Sequence, residues 1–437
     1  MKFAILGGGI SGLTVGSLLR AAGHQIDIFE KDEIIGGLCR TADFDGFLLD
    51  EAGGHILYSK LPEALQFMVD AVGEDGYCQR ERKTKIYYRD GIWVKYPFEN
   101  GVGSLPPTDR FDCLMGYLDA YWKRQQPGAA PPGNFHDWVL YRMGEGFGKH
   151  FMFPYNEKIW KIDLKELSSS WVEGRVPEAP VEDIVRAAVG VETEGYTHQS
   201  HFRYPLKGGF QTITDRIGAP LEDVIHKGTA VENVKRKGEG WSVNGTDYDF
   251  VVNTMPLPEF LKTVEGVPSD VRKAADDLTV RGLASILIGL NHDRIPDYSW
   301  IYLPFEEQGA ANRITYLSNY SPGNAPEGCS SIQAEVTFKG PSRVDDAFVQ
   351  DLVSTYERIG LLEKSDVIRT GFKTVKYAYI VYDLDFQKKL DRSLGWVDDQ
   401  GIYSTGRFAR FDYYNSDQCV DSAQKLVKQI LSDVERG

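Results

Sequence analysis

The first thirty residues contain the feature that most limits what this chain can fold into. A short apolar run at residues 2–6 leads into the glycine turn Gly7-Gly8-Gly9-Ile10-Ser11-Gly12. An amphipathic segment at residues 13–22 follows, and then a second apolar run, residues 25–29, which ends on Glu30. This order predicts a strand, a tight turn, a helix and a second strand parallel to the first.

The glycines in this turn have the spacing G-x-G-x-x-G. Gly7 permits the tight turn, Gly9 lets backbone amides approach a pyrophosphate, and Gly12 lets the helix pack closely on the strand. The helix dipole favours an anion at the same place, and Glu30 is placed to accept hydrogen bonds from ribose hydroxyls. A plain glycine-rich turn and a signal peptide are the alternatives. Because glycines interrupt the apolar stretch and no cleavage pattern follows, we predict a dinucleotide site.

The composition is that of a globular protein with about two to four domains. The 437 residues are 42% hydrophobic and 26% charged. The net charge of -14 argues against nucleic acid as a partner. No apolar run approaches the roughly 18 residues that cross a bilayer, so we expect no integral membrane segment.

Cysteine and histidine usage predicts neither disulfides nor a metal site. The five cysteines are scattered, odd in number and form no C-x-x-C motif. We therefore expect reduced thiols and a cytoplasmic location. His198 and His201 are close in sequence, but they lack other obvious ligands nearby. We predict no metal site.

Two further glycine pairs follow Glu30. Gly36-Gly37 precedes Leu38, and Gly53-Gly54 precedes His55. Paired glycines are typical of backbone that lies against a flat or charged ligand, although either pair alone fits an ordinary turn. Together they favour a flavin over a nicotinamide. Because the chain has only one dinucleotide fingerprint, reduction would require a transient donor such as NAD(P)H or another reductant.

The remaining patterns predict an α/β protein in which the nucleotide fold is discontinuous. A hairpin is expected around Arg89-Asp90-Gly91, helices from 109 to about 186, and a helix-connecting turn at 143–149. Strands are expected at 202–205, 229–235 and 248–254, in a run from 284 to 337, and near 375–382, before a terminal helix at 416–434. The expected division is a Rossmann-like FAD-binding domain (1–83, 203–256 and 396–437), a helical insertion domain (105–202) and an antiparallel β-sheet substrate domain (84–104 and 257–395).

Aromatic residues and arginines cluster at loop-like positions in the rest of the chain. The motifs concerned are Gly53-Gly54-His55, Tyr96-Pro97-Phe98-Glu99-Asn100, Pro154-Tyr155-Asn156-Glu157-Lys158-Ile159-Trp160, Trp171-Val172-Glu173-Gly174-Arg175, Ser318-Asn319-Tyr320-Ser321-Pro322 and Gly406-Arg407-Phe408. In this order and over nearly the whole chain, they closely resemble UDP-galactopyranose mutases, especially the eukaryotic-type branch. The segment 413–418 is more similar to the bacterial branch. This family shares its fold with flavin amine oxidases and protoporphyrinogen oxidases.

The resemblance implies roles for individual residues. His55 would lie against the flavin, and Arg175 and Arg313 would hold the substrate diphosphate. The substrate site would further include Tyr96, Phe98, Glu99, Asn156, Trp160, Trp300, Tyr302, Tyr379 and Tyr413. The FAD site would include Gly7, Gly9, Ser11, Gly12, Glu30, Lys31, Gly37, Leu38, Gly54, His55, Val231, Gly406 and Arg407.

The resemblance also implies the chemistry. In this family the reduced flavin attacks the anomeric carbon of a nucleotide sugar through N5, and the pyranose becomes a furanose with no net redox change. That mechanism fits a chain without a nucleophile triad or paired catalytic carboxylates. The alternatives are an FAD-dependent oxidase or dehydrogenase of the amine oxidase or protoporphyrinogen oxidase type, and a flavin-binding protein without catalysis. The oligomeric state is open, with a homodimer as one alternative.

Two departures from the family pattern concern the substrate. Glu99 stands where the eukaryotic-type branch usually has glutamine near the base. A carboxylate accepts the adjacent N–H and NH2 donors of guanine together, so Glu99 suggests a guanine or other non-uracil nucleotide. The alternative is a solvated acid at the rim of the site. The segment around Tyr379 also lacks the proline-rich pattern expected there, which makes the role of Tyr379 the least supported.

Overall fold

A computed structural model describes residues 1–172, 180–191, 193 and 200–436 of the chain. Its α-helices, in chain order, are α1 Ile10–Ala21, α2 Pro62–Val72, α3 Pro107–Arg124, α4 Phe135–Arg142, α5 Gly144–Phe147, α6 Phe153–Trp160, α7 Val181–Ala188, α8 Gln211–Gly218, α9 Leu257–Thr263, α10 Ser269–Asp276, α11 Asp346–Arg358, α12 Phe386–Asp399 and α13 Ser416–Arg436.

The strands complete the element order. They are β1 Lys2–Leu6, β2 Gln25–Phe29, β3 Thr41–Phe44, β4 Phe47–Asp50, β5 Tyr77–Glu81, β6 Thr84–Tyr87, β7 Trp93–Lys95, β8 His201–Pro205, β9 Ile225–His226, β10 Val234–Lys237, β11 Gly240–Val243, β12 Thr246–Tyr248, β13 Phe250–Asn253, β14 Val280–Leu290, β15 Trp300–Tyr302, β16 Arg313–Thr315, β17 Ser330–Phe338, β18 Val367–Ile380 and β19 Tyr403–Ser404.

A five-stranded parallel sheet contains the first strand of the chain. Its strand order is β19-β13-β1-β2-β9, with β1 at the centre between β13 and β2. Phe3 and Ile5 of β1 pack into the core that contains residues of α1 and α13, while Ala4 and Leu6 pack into a second core on the opposite face. Both faces of the sheet are therefore buried, which explains why β1 reads as a continuous apolar run.

A second, larger sheet lies beside it in the order β18-β14-β17-β16-β15-β6-β7. Neighbouring strands run antiparallel except at one position, where β15 pairs with β6 in parallel. The predicted hairpin at 84–96 supplies β6 and β7, so an early segment of the chain completes a sheet built mostly from residues after 280. The α/β class with one parallel and one largely antiparallel sheet is confirmed.

The structure corrects the expectation of a turn at 143–149. Residues 144–147 form α5, and residues 148–152 continue as a π-helical segment into α6. A Cβ on Gly144 would lie 2.1 Å from the Gly116 carbonyl oxygen, and one on Gly146 would lie 2.2 Å from that of Asp112. The glycines of this segment allow close packing against α3, so they do not mark a loop.

The strand expected at 229–235 is also corrected. The strand begins only at Val234 and belongs to a separate three-stranded sheet, β10-β11-β12. Before it, the Asn244 side chain accepts hydrogen bonds from the backbone N–H groups of Glu232 and Asn233, and this side-chain contact takes the place of a strand partner. The outer strand of the parallel sheet is instead β9.

Candidate active site

The glycine turn after β1 meets two other glycine segments at the start of α1. Gly7 has φ +115°, and a Cβ on Gly12 would lie 2.0 Å from the Gly7 carbonyl oxygen. Gly37 has φ +57°, and a Cβ there would lie 3.1 Å from the Gly9 Cα. Three backbone segments can approach one another and a ligand this closely only without side chains.

Gly406 brings the third segment to the same helix end. It has φ +106°, and a Cβ on it would lie 2.8 Å from the Ser11 hydroxyl oxygen in the first turn of α1. That first turn contains no acidic residue. The helix N-terminus therefore offers unpaired amides and a positive dipole end to an anion.

Glu30 directly follows β2 and lies beside this turn. It is buried, and one carboxylate oxygen accepts from the Gly8 N–H at 2.9 Å while the other accepts from the Asp32 N–H at 3.0 Å. Leu38 and Val231 pack into the core on the adjacent face of the parallel sheet. Lys31 is exposed. The roles assigned to these residues in FAD binding stay predictions.

His55 is held at the junction of the two sheets by its backbone. Its N–H donates to the Asp50 carboxylate at 3.2 Å, and that carboxylate also accepts from the Thr41 and Tyr204 hydroxyls. The imidazole stacks on Phe210 with ring centroids 4.9 Å apart. Burial raises the pKa of Asp50 to about 6, despite these donors.

The electrostatic surroundings keep the His55 imidazole neutral. Burial, followed by the charges of Arg313 and Arg407, lowers the pKa of His55 to about 4. Its Nδ1 is buried and has no hydrogen-bond partner among the residues that the structure describes. A neutral imidazole flanked by two guanidinium groups is suited to a site that receives an electron-rich or anionic group.

Arg313 begins β16 and pairs with a fully buried carboxylate. Its Nε and Nη2 lie 2.9 Å and 2.7 Å from the Glu335 Oε1 atom. Burial disfavours the charged guanidinium, but the charge of Glu335 outweighs that effect and holds the pKa of Arg313 well above its ordinary value. The side chain keeps 24% of its surface exposed. In the described part of the chain Nη1 has no acceptor, so this edge of the guanidinium is open to an anion.

Half-buried tyrosines surround Arg313. The Tyr302 ring lies 4.8 Å from that of Tyr96 and 5.3 Å from that of Tyr155, measured between centroids. Tyr379 and Tyr413 form another pair at 6.3 Å. Interaction with Tyr302 raises the pKa of Tyr96, and burial raises the pKa values of Tyr155 and Tyr379. These three hydroxyls therefore stay protonated at neutral pH and can donate hydrogen bonds to an anionic ligand.

Arg407 lies at the other end of the tyrosine group. Its guanidinium carbon is 4.1 Å from the Tyr413 ring centroid, a cation–π contact. Two of its nitrogens donate to the backbone carbonyls of Tyr414 and Ala378, and its Nε is buried without a partner among the described residues. The structure thus brings His55, Arg313 and Arg407 into one region, and their roles in catalysis and FAD binding stay predictions.

Residues predicted to form the nucleotide pocket lie in the protein interior and have little solvent-exposed surface. Phe98 is 1% exposed and stacks on Phe151 in the core of the helical region. The Trp160 indole N–H donates to the Asn156 side chain at 3.0 Å, so these two polar groups satisfy each other. Glu99 is 8% exposed, which excludes the alternative of a solvated rim acid. Their contacts with a nucleotide stay predictions.

Two further residues predicted for the substrate site, Trp300 and Arg175, take no part in the contacts given above. Trp300 is buried beside Phe202, and its indole nitrogen has no partner within the described ranges. Arg175 lies outside the described residues, so its predicted pairing with Arg313 on a diphosphate stays a prediction.

Three residues that had no predicted role contact the predicted site residues or lie near them. Glu335, Asp50 and Tyr155 contact or surround the predicted residues. Tyr155 falls within a motif that carried the resemblance. Glu335 gave no separate signal, because polar residues at every second position of a strand read as its solvent face.

The fold and the sequence are similar to those of one class of known proteins. Residues 10–431 match the family described as flavin containing amine oxidoreductase, and the chain belongs to that family. Within this class, the structure is similar to that of reduced UDP-galactopyranose mutase, with a TM-score of 0.90 and 26% identity over 99% of this chain and 95% of the other. The resemblance found in the sequence is confirmed.

Other relatives share the fold or short segments. A putative protoporphyrinogen oxidase from Exiguobacterium sp. 255-15 superposes with a TM-score of 0.74 at 16% identity, covering 98% of each chain. A 4,4'-diapophytoene desaturase from Staphylococcus aureus is 38% identical over 141 residues, 32% of this chain and 24% of the relative. A 4,4'-diapolycopen-4-al dehydrogenase from Metabacillus indicus is 34% identical over 101 residues, 22% of this chain. The chain therefore matches about a quarter or less of the length of these two curated relatives.

The family implies FAD, and the residues present fit it. Gly9 and Gly37 approach each other closely, the N-terminus of α1 is open, and His55 Nδ1 and Arg407 Nε have no partner among the described residues. A bound dinucleotide would satisfy these features. Among the described residues, no group of three or more His, Cys, Asp or Glu side chains is arranged to hold a metal ion. In the same ranges, no helix is both long and apolar enough to span a bilayer.

Proposed function

We propose that this protein is a flavin-dependent mutase that interconverts the pyranose and furanose forms of a nucleotide-diphosphate sugar without net redox change. The observation that carries the proposal is the open edge of Arg313, which lies among protonated tyrosines beside the neutral His55. A site for an amine, which is a cation, does not require such an anion-binding group. The similarity in structure to a UDP-galactopyranose mutase supports the same reading.

The side chains have distinct tasks in this proposal. Arg313, together with Arg175, binds the diphosphate and stabilises the charge that develops on it as the bond to the sugar breaks. Tyr302, Tyr379 and Tyr413 donate hydrogen bonds to the same oxygens. Loss of one such donor costs about 3 to 4 kcal/mol where comparable groups have been removed.

His55 and the surrounding aromatic residues shape the reacting end of the site. When bound in its reduced form, FAD supplies a nucleophilic ring nitrogen for the anomeric carbon. His55 stays neutral there because two guanidinium groups and burial oppose its protonation. The aromatic side chains exclude water, which strengthens the arginine contacts with the diphosphate. Reducing equivalents would come from NAD(P)H or another transient donor.

The second candidate function is an FAD-dependent oxidase or dehydrogenase. The specific observation in its favour is that the family is named for oxidoreductases and that the curated relatives by sequence include a desaturase and a dehydrogenase. Their matches cover short parts of those proteins, whereas the mutase superposes over nearly the full length of both chains. We therefore place the mutase first.

One experiment separates the two candidates. The purified yellow protein is incubated with UDP-, GDP- and dTDP-sugars, with and without dithionite, and the products are separated by chromatography. Isomerisation that requires reduction supports the mutase. Oxygen consumption with an amine or a porphyrinogen, without isomerisation of any nucleotide sugar, would overturn it.

A matched pair of substitutions tests the site itself. Replacing both Arg175 and Arg313 by lysine should nearly abolish isomerisation while FAD stays bound, because lysine cannot present the planar fork of arginine. Arg392→Lys, at an exposed ion pair with Asp270, serves as the control and should leave turnover unchanged. Unchanged turnover in the double variant would contradict the assignment of the diphosphate site.

A further inference from the structure

Glu335 is a fully buried carboxylate with no direct place in the predicted site. It lies on β17 and has no exposed surface. Its Oε1 accepts from the Arg313 Nε and Nη2 atoms, from the Gly54 N–H at 3.1 Å and from the Thr315 hydroxyl at 3.4 Å. One oxygen therefore contacts both the arginine of the anion site and the loop that carries His55.

The second carboxylate oxygen of Glu335, Oε2, packs directly against the backbone of the same loop. Oε2 is buried and has no partner among the described residues, and a Cβ on Gly53 would lie 3.1 Å from it. Gly53 has φ +94°, so glycine at this position both turns the backbone and makes room for the carboxylate. The loop and Glu335 are thus packed against each other without an intervening side chain.

Neighbouring residues fix the same loop without touching Arg313. The Ser285 hydroxyl accepts from the Gly53 N–H at 3.0 Å, and the Gln333 side chain exchanges hydrogen bonds with the backbone of Asp50. Both side chains are fully buried. Glu335 differs from them in carrying a negative charge and in contacting the guanidinium.

We propose that Glu335 is a positioning residue that links the two halves of the site, because its one buried carboxylate orients the Arg313 guanidinium and anchors the loop that places His55. This inference rests on the proposed function for the identity of the anion. It adds that the charge of Glu335 acts on the diphosphate site and on the bound flavin at once. Binding at Arg313 and the redox properties of the flavin should therefore respond to the same substitution.

The first test removes the charge and keeps the shape. In Glu335→Gln, UDP should bind the oxidised holoprotein at least threefold more tightly, because a negative charge opposing the diphosphate is gone. The flavin midpoint potential should rise, because the same charge no longer opposes addition of electrons. Calorimetry and spectroelectrochemistry measure the two quantities. A potential or an affinity equal to that of the wild type, or a shift of either in the opposite direction, would overturn the inference.

The second test keeps the negative charge at position 335 and shortens the side chain. Glu335→Asp should weaken UDP binding, because the shorter side chain no longer orients Arg313, while the midpoint potential stays near that of the wild type. Ser285→Ala is the matched control, since it loosens the same loop without altering charge or Arg313. It should retain the UDP affinity. Loss of UDP affinity in Ser285→Ala equal to that in Glu335→Asp would show a purely structural effect and overturn the inference.

These readouts separate this inference from the proposed function, since neither requires isomerisation. If the wild type binds UDP but isomerises no sugar, the proposed mutase activity is wrong, while the tests of Glu335 still apply. A wild type that isomerises, with a Glu335→Gln variant indistinguishable from it in both readouts, overturns only the role of Glu335. FAD content and thermal unfolding confirm that each variant is folded.

Discussion

Glu99 shows how burial changes the meaning of a single residue. As a carboxylate, it suggested a guanine base, because it can accept two adjacent donors. The structure buries the side chain, and burial raises the pKa of Glu99 to about 7. A neutral carboxyl group offers one donor and one acceptor, as a glutamine amide does, and so it also suits uracil. The base preference of the proposed pocket is therefore expected to depend on pH.

We predict that UDP-galactose binds more weakly as Glu99 ionises. Because the pKa in the fold is raised, the neutral form predominates below about pH 7 and is lost as the pH rises through that value. Affinity should fall about tenfold between pH 6 and pH 8, in proportion to the neutral fraction. Calorimetry at several pH values measures this change. Glu99→Gln should bind with an affinity that is nearly independent of pH.

A matching decline in Glu99→Gln would assign the titration to another group. UDP-galactose is preferred to UDP as the probe because its diphosphate has no group that titrates in this range. The same series with GDP-mannose tests the original hypothesis, since the ionised form should favour guanine. Stronger GDP-mannose binding at pH 8 than at pH 6 is the expected result.

At the scale of elements, the glycine segments around α1 give the FAD prediction a structural test. Gly37→Ala would place a methyl group 3.1 Å from the Gly9 Cα at a residue with φ +57°. The segments of Gly37 and Gly9 would have to move apart, which would disrupt the backbone surface that is proposed to bind the dinucleotide. We expect the purified variant to retain much less FAD, as measured by the ratio of flavin to protein absorbance.

Gly245→Ala is the control for this substitution. Gly245 has φ +87°, but a Cβ there would meet nothing within 4 Å. Both variants carry a backbone strain of about 1 kcal/mol or more, and only Gly37→Ala closes the space between the segments. Equal FAD content in the two variants would contradict the proposed dinucleotide site at Gly9 and Gly37.

Helix α6, which contains Asn156 and Trp160, depends on a buried arginine at its C-terminus. Arg281 is 1% exposed, and its guanidinium donates to the backbone carbonyls of Trp160 and Lys161. These carbonyls have no partner within the helix, so the arginine satisfies the helix end. Burial lowers the pKa of Arg281, and no carboxylate compensates for it in the described contacts.

We predict that Arg281→Met lowers the free energy of unfolding by about 2 to 3 kcal/mol, because it removes the donor from the backbone carbonyls of the buried Trp160 and of Lys161. Chemical denaturation of the FAD-loaded protein measures the change. In the control, Arg392→Met removes an arginine from an exposed ion pair, and the free energy of unfolding should fall by less than about 1 kcal/mol. A similar cost for both substitutions would show that Arg281 does not support the end of α6.

At the scale of the whole molecule, the net charge opposes the substrate that the site is proposed to bind. The chain carries a formal charge of -14, whereas a nucleotide-diphosphate sugar is an anion. The Arg313 side chain is only 24% exposed, so salt should screen its contacts with a bound diphosphate less than it screens the long-range repulsion. Arginine in the site should therefore determine affinity, while the overall field should slow approach.

We predict that the association rate constant of UDP-galactose rises about threefold as salt increases from 10 to 150 mM, because the screening length falls from about 30 Å to about 8 Å. Stopped-flow changes in flavin absorbance measure this rate. Uridine carries no charge, and its association rate should not change. A rate for UDP-galactose that falls with salt would mean that local positive charge dominates the approach as well.

The sequence by itself determined the elements that rest on local patterns. Residues 2–30 specify strand, turn, helix and acid through apolar periodicity and glycine spacing, and the structure has each of them in that order. The hairpin at 84–96 and the terminal helix follow from turn chemistry and amphipathic spacing in the same way. The motif at His55 was visible because a glycine pair precedes it, and the motif at Arg407 because glycine, arginine and an aromatic residue are adjacent. Such signals need only neighbours in the chain.

The tertiary structure alone decided which polar residues are buried and what they contact. In β17, Gln333 and Glu335 alternate with apolar residues, as residues on a solvent-exposed face do, yet both are fully buried against the loop that carries His55. The glycines at 144 and 146 predicted a turn, but α3 packs against them and makes a helix possible. Burial, long-range pairing and the resulting pKa changes depend on residues that are distant in sequence, so no local pattern could reveal them.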